Sequence, residues 1–316
     1  MSARDLKLGR RPPANKPALQ LAHFLTGVVP AHPASVDYLA ALNGGWQMLG
    51  NDQYGDCVPV TMANLTRLIT ATIGAGEVYP DLNQVLAWYK TQNPGFPAED
   101  NGMVIQTFLE YLVKTGLIVG FAQVDVKNLA EVQAAIDLFG HIWTGITVLE
   151  ANETEFDNGQ PWDFVAGSSE AGGHSVLVGG YFSAQPGDDN RFITWATETG
   201  FTDAFWAKLV EEGWVVIFKE HLGSKVFQAG VDVAGLAAAF TQITGQPFPA
   251  PVPTPVPVPP APVPPTPPAP TPPTPPAPTP PAPPPPLPPD LEERILRAVE
   301  KAIRAVLHGI FDRPAD

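Results

Sequence analysis

The chain has 316 residues, 44% of them hydrophobic, and a formal net charge of −14. The apolar content suffices for a packed core, and so acidic a surface repels phosphate backbones, which excludes nucleic acid as a partner. A lone cysteine excludes a disulfide framework and a thiolate zinc site; no cofactor is expected, and no apolar run reaches the roughly 18 residues of a membrane span.

Residues 1–45 read as an extended arm. Prolines 12, 13, 17, 30 and 33 forbid a long helix there, and its bases (Arg4, Lys7, Arg10, Arg11, Lys16) read as a solvated basic segment. No apolar leader follows the first residues, so synthesis in the cytosol without a signal peptide is expected.

The segment GNDQYGDCVP (50–59) is a glycine-broken polar turn. Beyond it, Met62, Leu65, Leu68, Ile69 and Ile73 recur at helical spacing, and Pro59 fits only the first turn of such a helix. Cys57 therefore stands at a helix N-terminus, where the dipole and free amides favour a thiolate. Asp52 and Asp56 flank it and act in the opposite sense; they could also receive a cationic substrate group.

Helices are predicted over 81–91, 103–115 (with Gly116 as C-cap) and 128–139, the last opened by Asn128 and Glu131 in a capping pattern. β-Branched and aromatic runs follow at 142–148, 174–182, 191–197 and 214–218, bounded by Gly and Asp. Helices first and strands later predict an α+β domain over 46–246, a helical half on an antiparallel sheet. Trp162, Trp195, Phe205, Trp206 and Trp214 could line a groove, although aromatics of this kind more often fill cores.

Of the 39 prolines, 27 fall in residues 247–289, which can be neither helix nor sheet. As polyproline II this tract is a stalk that could reach about 130 Å. After it, Leu291, Ile295, Val299, Ile303, Val306 and Ile310 form one stripe of a helix within 290–316, capped by Asp290 and charged on its other face. Such a helix at 290–311 needs a protein partner or self-association, and reads as an anchor.

A nucleophilic cysteine needs a base. His174, in GGHSVLVGGY, follows two glycines at the expected start of a strand, a suitable place for a base facing a cleft. By spacing alone, a Cys57–His174 dyad competes with the simpler view of Cys57 as a small core residue.

The cysteine turn YGDCVPV, the Asp100–Asn101–Gly102 turn, GGHSVLVGGY and a following Trp-bearing strand resemble the papain-like cysteine peptidase fold over about residues 40–220. MLGNDQYGDC, VDVKNL and GGHSVLVGGY are closer still to papain-fold proteins of phages, prophages and bacteria. The resemblance implies Cys57 as nucleophile and His174 as general base. Where the family carries an oxyanion glutamine this chain has Asn51, with Gln53 the nearest glutamine. Where the family's His-orienting Asn is expected stands Ile193; Thr194, Thr197, Glu198 and Asp163 are the polar alternatives. Two functions follow: a peptidase or amidase acting on a peptide or isopeptide, or a papain-fold binding or structural module, such as a virion protein, with weak or lost catalysis.

Overall fold

The computed structural model describes residues 2–26, 32–42, 44–74, 76–182, 190–245 and 247–248. Apart from Pro247 and Phe248, the proline stalk lies outside the described residues, as does the helix expected at 290–311.

A short strand β1 (Ser35–Asp37) precedes three helices: α1 (Cys57–Thr72), α2 (Leu82–Tyr89) and α3 (Ile105–Lys114). Strand β2 (Gly120–Val124) leads to α4 (Leu129–Phe139), which the Asn128 side chain caps at the Glu131 amide and left-handed Gly140 ends. There follow β3 (Ile142–Leu149), α5 (Glu150–Asp157), β4 (Glu170–Phe182), β5 (Asn190–Thr194) and β6 (Thr197–Phe201). The last elements are α6 (Asp203–Leu209), β7 (Val210–Ile217), α7 (Lys225–Gly230) and α8 (Val233–Thr244).

The strands form one antiparallel sheet in the order β2-β7-β3-β4-β5-β6, with β1 on β4. Strand alternation sends side chains to opposite faces, and here both faces are covered. Trp143, Leu177, Ile193, Trp214 and Val216 join the core of α1–α3. Ile142, Ile146, Val176 and Val178 join the second core, with residues of α4, α6, α7 and α8. The expected α+β architecture is present, and the five aromatics proposed for a groove are all buried.

Two expectations need correction. Strand β4 begins at Glu170, so His174 lies inside it: Gly172 and Gly173 already pair with Val148 and Thr147. The strand expected over 191–197 breaks at Trp195 and Ala196, whose positive φ values of 43° and 60° turn the chain between paired Thr194 and Thr197.

The arm packs on the domain, although Arg4, Lys7, Arg11 and Lys16 are exposed as expected. Ala3, Leu6 and Arg10 are buried, and Ala3 N–H donates to Asp157 at 2.7 Å. Apolar residues at positions 3, 6, 21, 24 and 25 join the sheet-side core, which outweighs the polar character of the segment.

Three buried histidines are held neutral by this packing. His141 Nε2 accepts from the Val216 amide, His221 Nδ1 accepts from the Phe218 amide, and both rings donate their other N–H to the Phe139 carbonyl. Burial lowers His141 to about 3, His174 to about 3 and His221 to about 4. The unfolded chain takes up these protons below pH 6.5 while the native state refuses them, so stability is full above that pH and falls below it. Three such groups cost up to about 4 kcal/mol per pH unit. Acid unfolding near pH 4 is the expected result; a urea midpoint constant from pH 7.5 to 4 would contradict it.

Candidate active site

Cys57 is the first residue of α1, and His174 lies on the adjacent β4. The two elements are stitched just beneath them. Thr61 Oγ1 donates to the Cys57 carbonyl (2.8 Å) and lies 3.0 Å from both the carbonyl and the hydroxyl of Ser175, which in turn accepts from Trp143 Nε1 (2.7 Å). The backbone N–H of Ser175, the residue after His174, faces the Cys57 sulfur. The structure thus places the Cys57 sulfur against the strand that carries His174, with no hydrogen bond between the two side chains.

His174 Nε2 lies 2.7 Å from Thr194 Oγ1, the last residue of β5. Its Nδ1 is buried without a hydrogen-bond partner among the described residues, the Cys57 sulfur included. Trp195 covers the ring, centroids 4.9 Å apart. The left-handed turn at Trp195–Ala196, strained by about 1 kcal/mol or more per residue, is what aims this indole over the imidazole.

The other polar candidates for the orienting role are engaged elsewhere. Thr197 donates to the Trp195 carbonyl, and Asp163 accepts from the Phe164 amide and the Thr202 hydroxyl. Glu198 is paired across from Ile193, whose side chain packs in the helical-side core. Thr194, one residue after the expected position, is the group on the imidazole. Thr194→Val keeps the shape and removes the acceptor. Both groups are buried, so leaving the imidazole nitrogen unpaired costs about 1–3 kcal/mol, and the variant is expected to melt a few degrees lower. An unchanged melting temperature would remove Thr194 as the partner that holds the ring.

Asn51 is buried and spends both amide protons, on the carbonyls of Lys7 and Tyr54, each at 3.1 Å. Gln53 is exposed and lines a depression with Met48, Leu82 and Leu86. Of the two amides considered for an oxyanion, Asn51 is the one whose side chain points at a carbonyl in the cleft; Trp195 Nε1 reaches the same Lys7 carbonyl at 3.3 Å.

That carbonyl belongs to the arm, which lies along the site. Lys7 N–H donates to the Asn51 carbonyl (3.1 Å), Met103 N–H to the Gly9 carbonyl (2.8 Å), Arg11 N–H to the Met103 carbonyl (2.8 Å) and Arg10 N–H to the Gly173 carbonyl (3.0 Å). Three glycines permit the approach. A Cβ on Gly9 would stand 1.9 Å from the Gly55 carbonyl oxygen, one on Gly102 2.1 Å from the Gly9 oxygen, and one on Gly173 2.3 Å from the Arg10 oxygen. The Asp100–Asn101–Gly102 turn is tied to the cysteine turn by Gly55 N–H on Asp100 (3.1 Å). Gly9 presents its N–H to the Cys57 sulfur, and its carbonyl goes to Met103.

The arm seals the site. Cys57 is 1% exposed, and burial pushes its thiol up to about 12, against the amides of Ser175 and Gly9. With His174 lowered to about 3 by burial, and further by Arg10, both groups are neutral at pH 7. The helix-terminus expectation of a ready thiolate is overturned in this state because desolvation outweighs the dipole. Among the described residues no cluster of His, Cys, Asp or Glu could hold a metal, and no helix is long and apolar enough to cross a membrane.

Fold and geometry together define a class: the chain has the fold of papain-like cysteine proteases. Among solved structures it is similar to xylellain, a cysteine protease from Xylella fastidiosa, with a TM-score of 0.52 at 13% identity over 68% of this chain and 97% of that one. At that identity the likeness bears on the fold alone. No protein-family model and no curated protein matches the chain, and the nearer resemblance to the phage and prophage group finds no counterpart in these comparisons.

Proposed function

We propose that the chain is a latent cysteine peptidase or amidase whose N-terminal arm must leave the cleft before catalysis. The observation that carries this reading is the His174 ring. Thr194 holds one nitrogen, while the other is buried, unpartnered and on the strand whose next amide faces the Cys57 sulfur.

With the arm withdrawn, Cys57 attacks the carbonyl of a peptide or isopeptide bond and His174 Nδ1 takes the thiol proton. The Asn51 amide released by Lys7 donates to the developing oxyanion. The imidazolium then protonates the departing amine, leaving a thioester on Cys57. Water, deprotonated by His174, hydrolyses the thioester and restores both groups. Thr194 orients the ring without supplying a negative charge, so it supports the imidazolium less than a carboxylate would. The proline tract and the helix at 290–311 would hold such an enzyme away from an anchor or a partner.

The test is peptide cleavage by a Gly9→Val chain, which cannot seat the arm, beside the same chain carrying Cys57→Ser. Thiol-dependent hydrolysis, lost by at least about 1,000-fold in the serine variant, is expected. If the Gly9→Val chain cleaves no peptide or isopeptide, the chain is a papain-fold binding module.

A further inference from the structure

Beside the thiol lies a second built feature that the chemistry above does not use. Arg10 follows the residue whose amide faces Cys57, and its side chain leaves the cleft into a pocket on β7. Arg10 Nη1 donates to Glu212 Oε1 at 3.3 Å, and Nη2 to Glu211. Glu212 Oε2 accepts from Trp214 Nε1 at 2.8 Å, and Glu211 also accepts from the Thr147 hydroxyl. The Arg10 and Glu212 side chains are 2% and 1% exposed.

The pocket is shaped for a long side chain. A Cβ on Gly145 would stand 2.7 Å from Arg10 Cδ and 2.6 Å from Glu212 Oε1, so only glycine leaves the channel open. Arg10 Nε is buried without a partner, which marks the guanidinium as an imperfect occupant. The occupant also sits on a segment that has to move. Once the arm leaves, Glu212 loses its cation and keeps only the Trp214 N–H, an arrangement that a new cation would relieve.

We propose that the Glu211–Glu212 pocket is the specificity pocket for a positively charged substrate side chain, arginine above lysine, and that Arg10 occupies it in the latent state. This rests on the peptidase reading. Two carboxylates on adjacent residues suit a planar fork better than a point charge, and the acidic surface attracts basic peptides. The crowding of Gly9 between Gly55 and Gly102 requires a glycine at the position before the basic residue, so Gly-Arg is the preferred pair.

The experiment uses the full chain with Arg10→Ala, or Arg10→Met should the alanine variant not fold. Its Cys57 is labelled with acetyl-Gly-Xaa chloromethyl ketones, Xaa being Arg, norleucine or Glu, and read by intact mass. The Arg reagent is expected to react roughly 30-fold or more faster than norleucine. Adding Glu212→Gln should bring the ratio near one. Equal rates for all three reagents, or a preference that survives Glu212→Gln, overturn the pocket and leave the peptidase reading intact. In parallel, N-acetyl-arginine methylamide should raise the melting temperature of the Arg10→Ala chain and not that of the Glu212→Gln double variant. Stabilisation with no labelling of Cys57 keeps a cation pocket and overturns its role in peptidase specificity; neither effect overturns both.

Discussion

In a Gly9→Val chain, Cys57 is expected to react with iodoacetamide at pH 7.5 about 100-fold faster than in the native chain. The added side chain would begin 1.9 Å from the Gly55 carbonyl oxygen, which is backbone and cannot swing aside. The arm then gives up its bonds to Asn51, Met103 and Gly173. Opening the site removes the desolvation that pushes the thiol up to about 12. Return toward the ordinary value of about 8.5 raises the thiolate fraction some 1,000-fold or more, and the weaker nucleophilicity of a less basic thiolate takes back part of that gain. Intact-mass kinetics on both chains, with an unfolded control, decide the matter. Equal rates in the two folded chains would mean that the arm does not guard Cys57. A variant that reacts only as fast as its unfolded control, with the melting transition lost, would mean that the arm is a structural element the domain needs.

Asp56→Asn is expected to stabilise the domain strongly at pH 8 and hardly at all at pH 4. Asp56 precedes Cys57, is fully buried, and neither carboxylate oxygen has a hydrogen-bond partner among the described residues. Although it occupies the N-cap position of α1, its side chain makes no capping bond. Burial, with Asp100 and Asp52 adding to it, pushes its carboxyl up to about 8. The sign follows from proton counts. The unfolded chain releases this proton near pH 4, whereas the native state holds it to about 8, so stability contributed by the neutral acid is present below pH 4 and lost as pH rises through that window. At pH 8 the loss is on the order of 5 kcal/mol. Asparagine keeps the shape and cannot ionise, so a rise in melting temperature of roughly 10 °C at pH 8 is expected. Calorimetry at both pH values is the measurement, and an equal shift at pH 4 and pH 8 would exclude a titrating Asp56. In the native chain a neutral Asp56 also spares Cys57 an adjacent negative charge.

Much of the scaffold was legible in local signals. The helix after Cys57, the Asn128 cap with Gly140 closing α4, and the β-branched runs are all set by residues within a turn or two of one another, where spacing and capping report directly. The cysteine and histidine were found because each sits on a recognisable local motif. Less was legible at Thr194. Which of several neighbouring polar residues meets an imidazole depends on where a strand ends, and the left-handed Trp195–Ala196 turn carries none of the usual Asn or Gly signal. Gln53 and Asn51 are two residues apart, and only the fold turns one toward the cleft and the other to solvent.

The arm marks the deeper divide. Its prolines exclude a long helix, because proline limits the backbone whatever the surroundings, and only short turns of helix form among its described residues. Its burial could not be foreseen, because that depends on glycines at 9, 55, 102 and 173 meeting in space from four separate parts of the chain. The same holds for Arg10, which looks like any solvated base until Glu211 and Glu212, some two hundred residues away, close around it. Sequence alone determined the elements and marked Cys57 and His174 as candidates for nucleophile and base, since these rest on short-range periodicity and residue chemistry. Tertiary structure alone decided the protonation of Cys57 and His174, the partner of the imidazole and the occupant of the cleft, because desolvation and contact are properties of what is packed around a group.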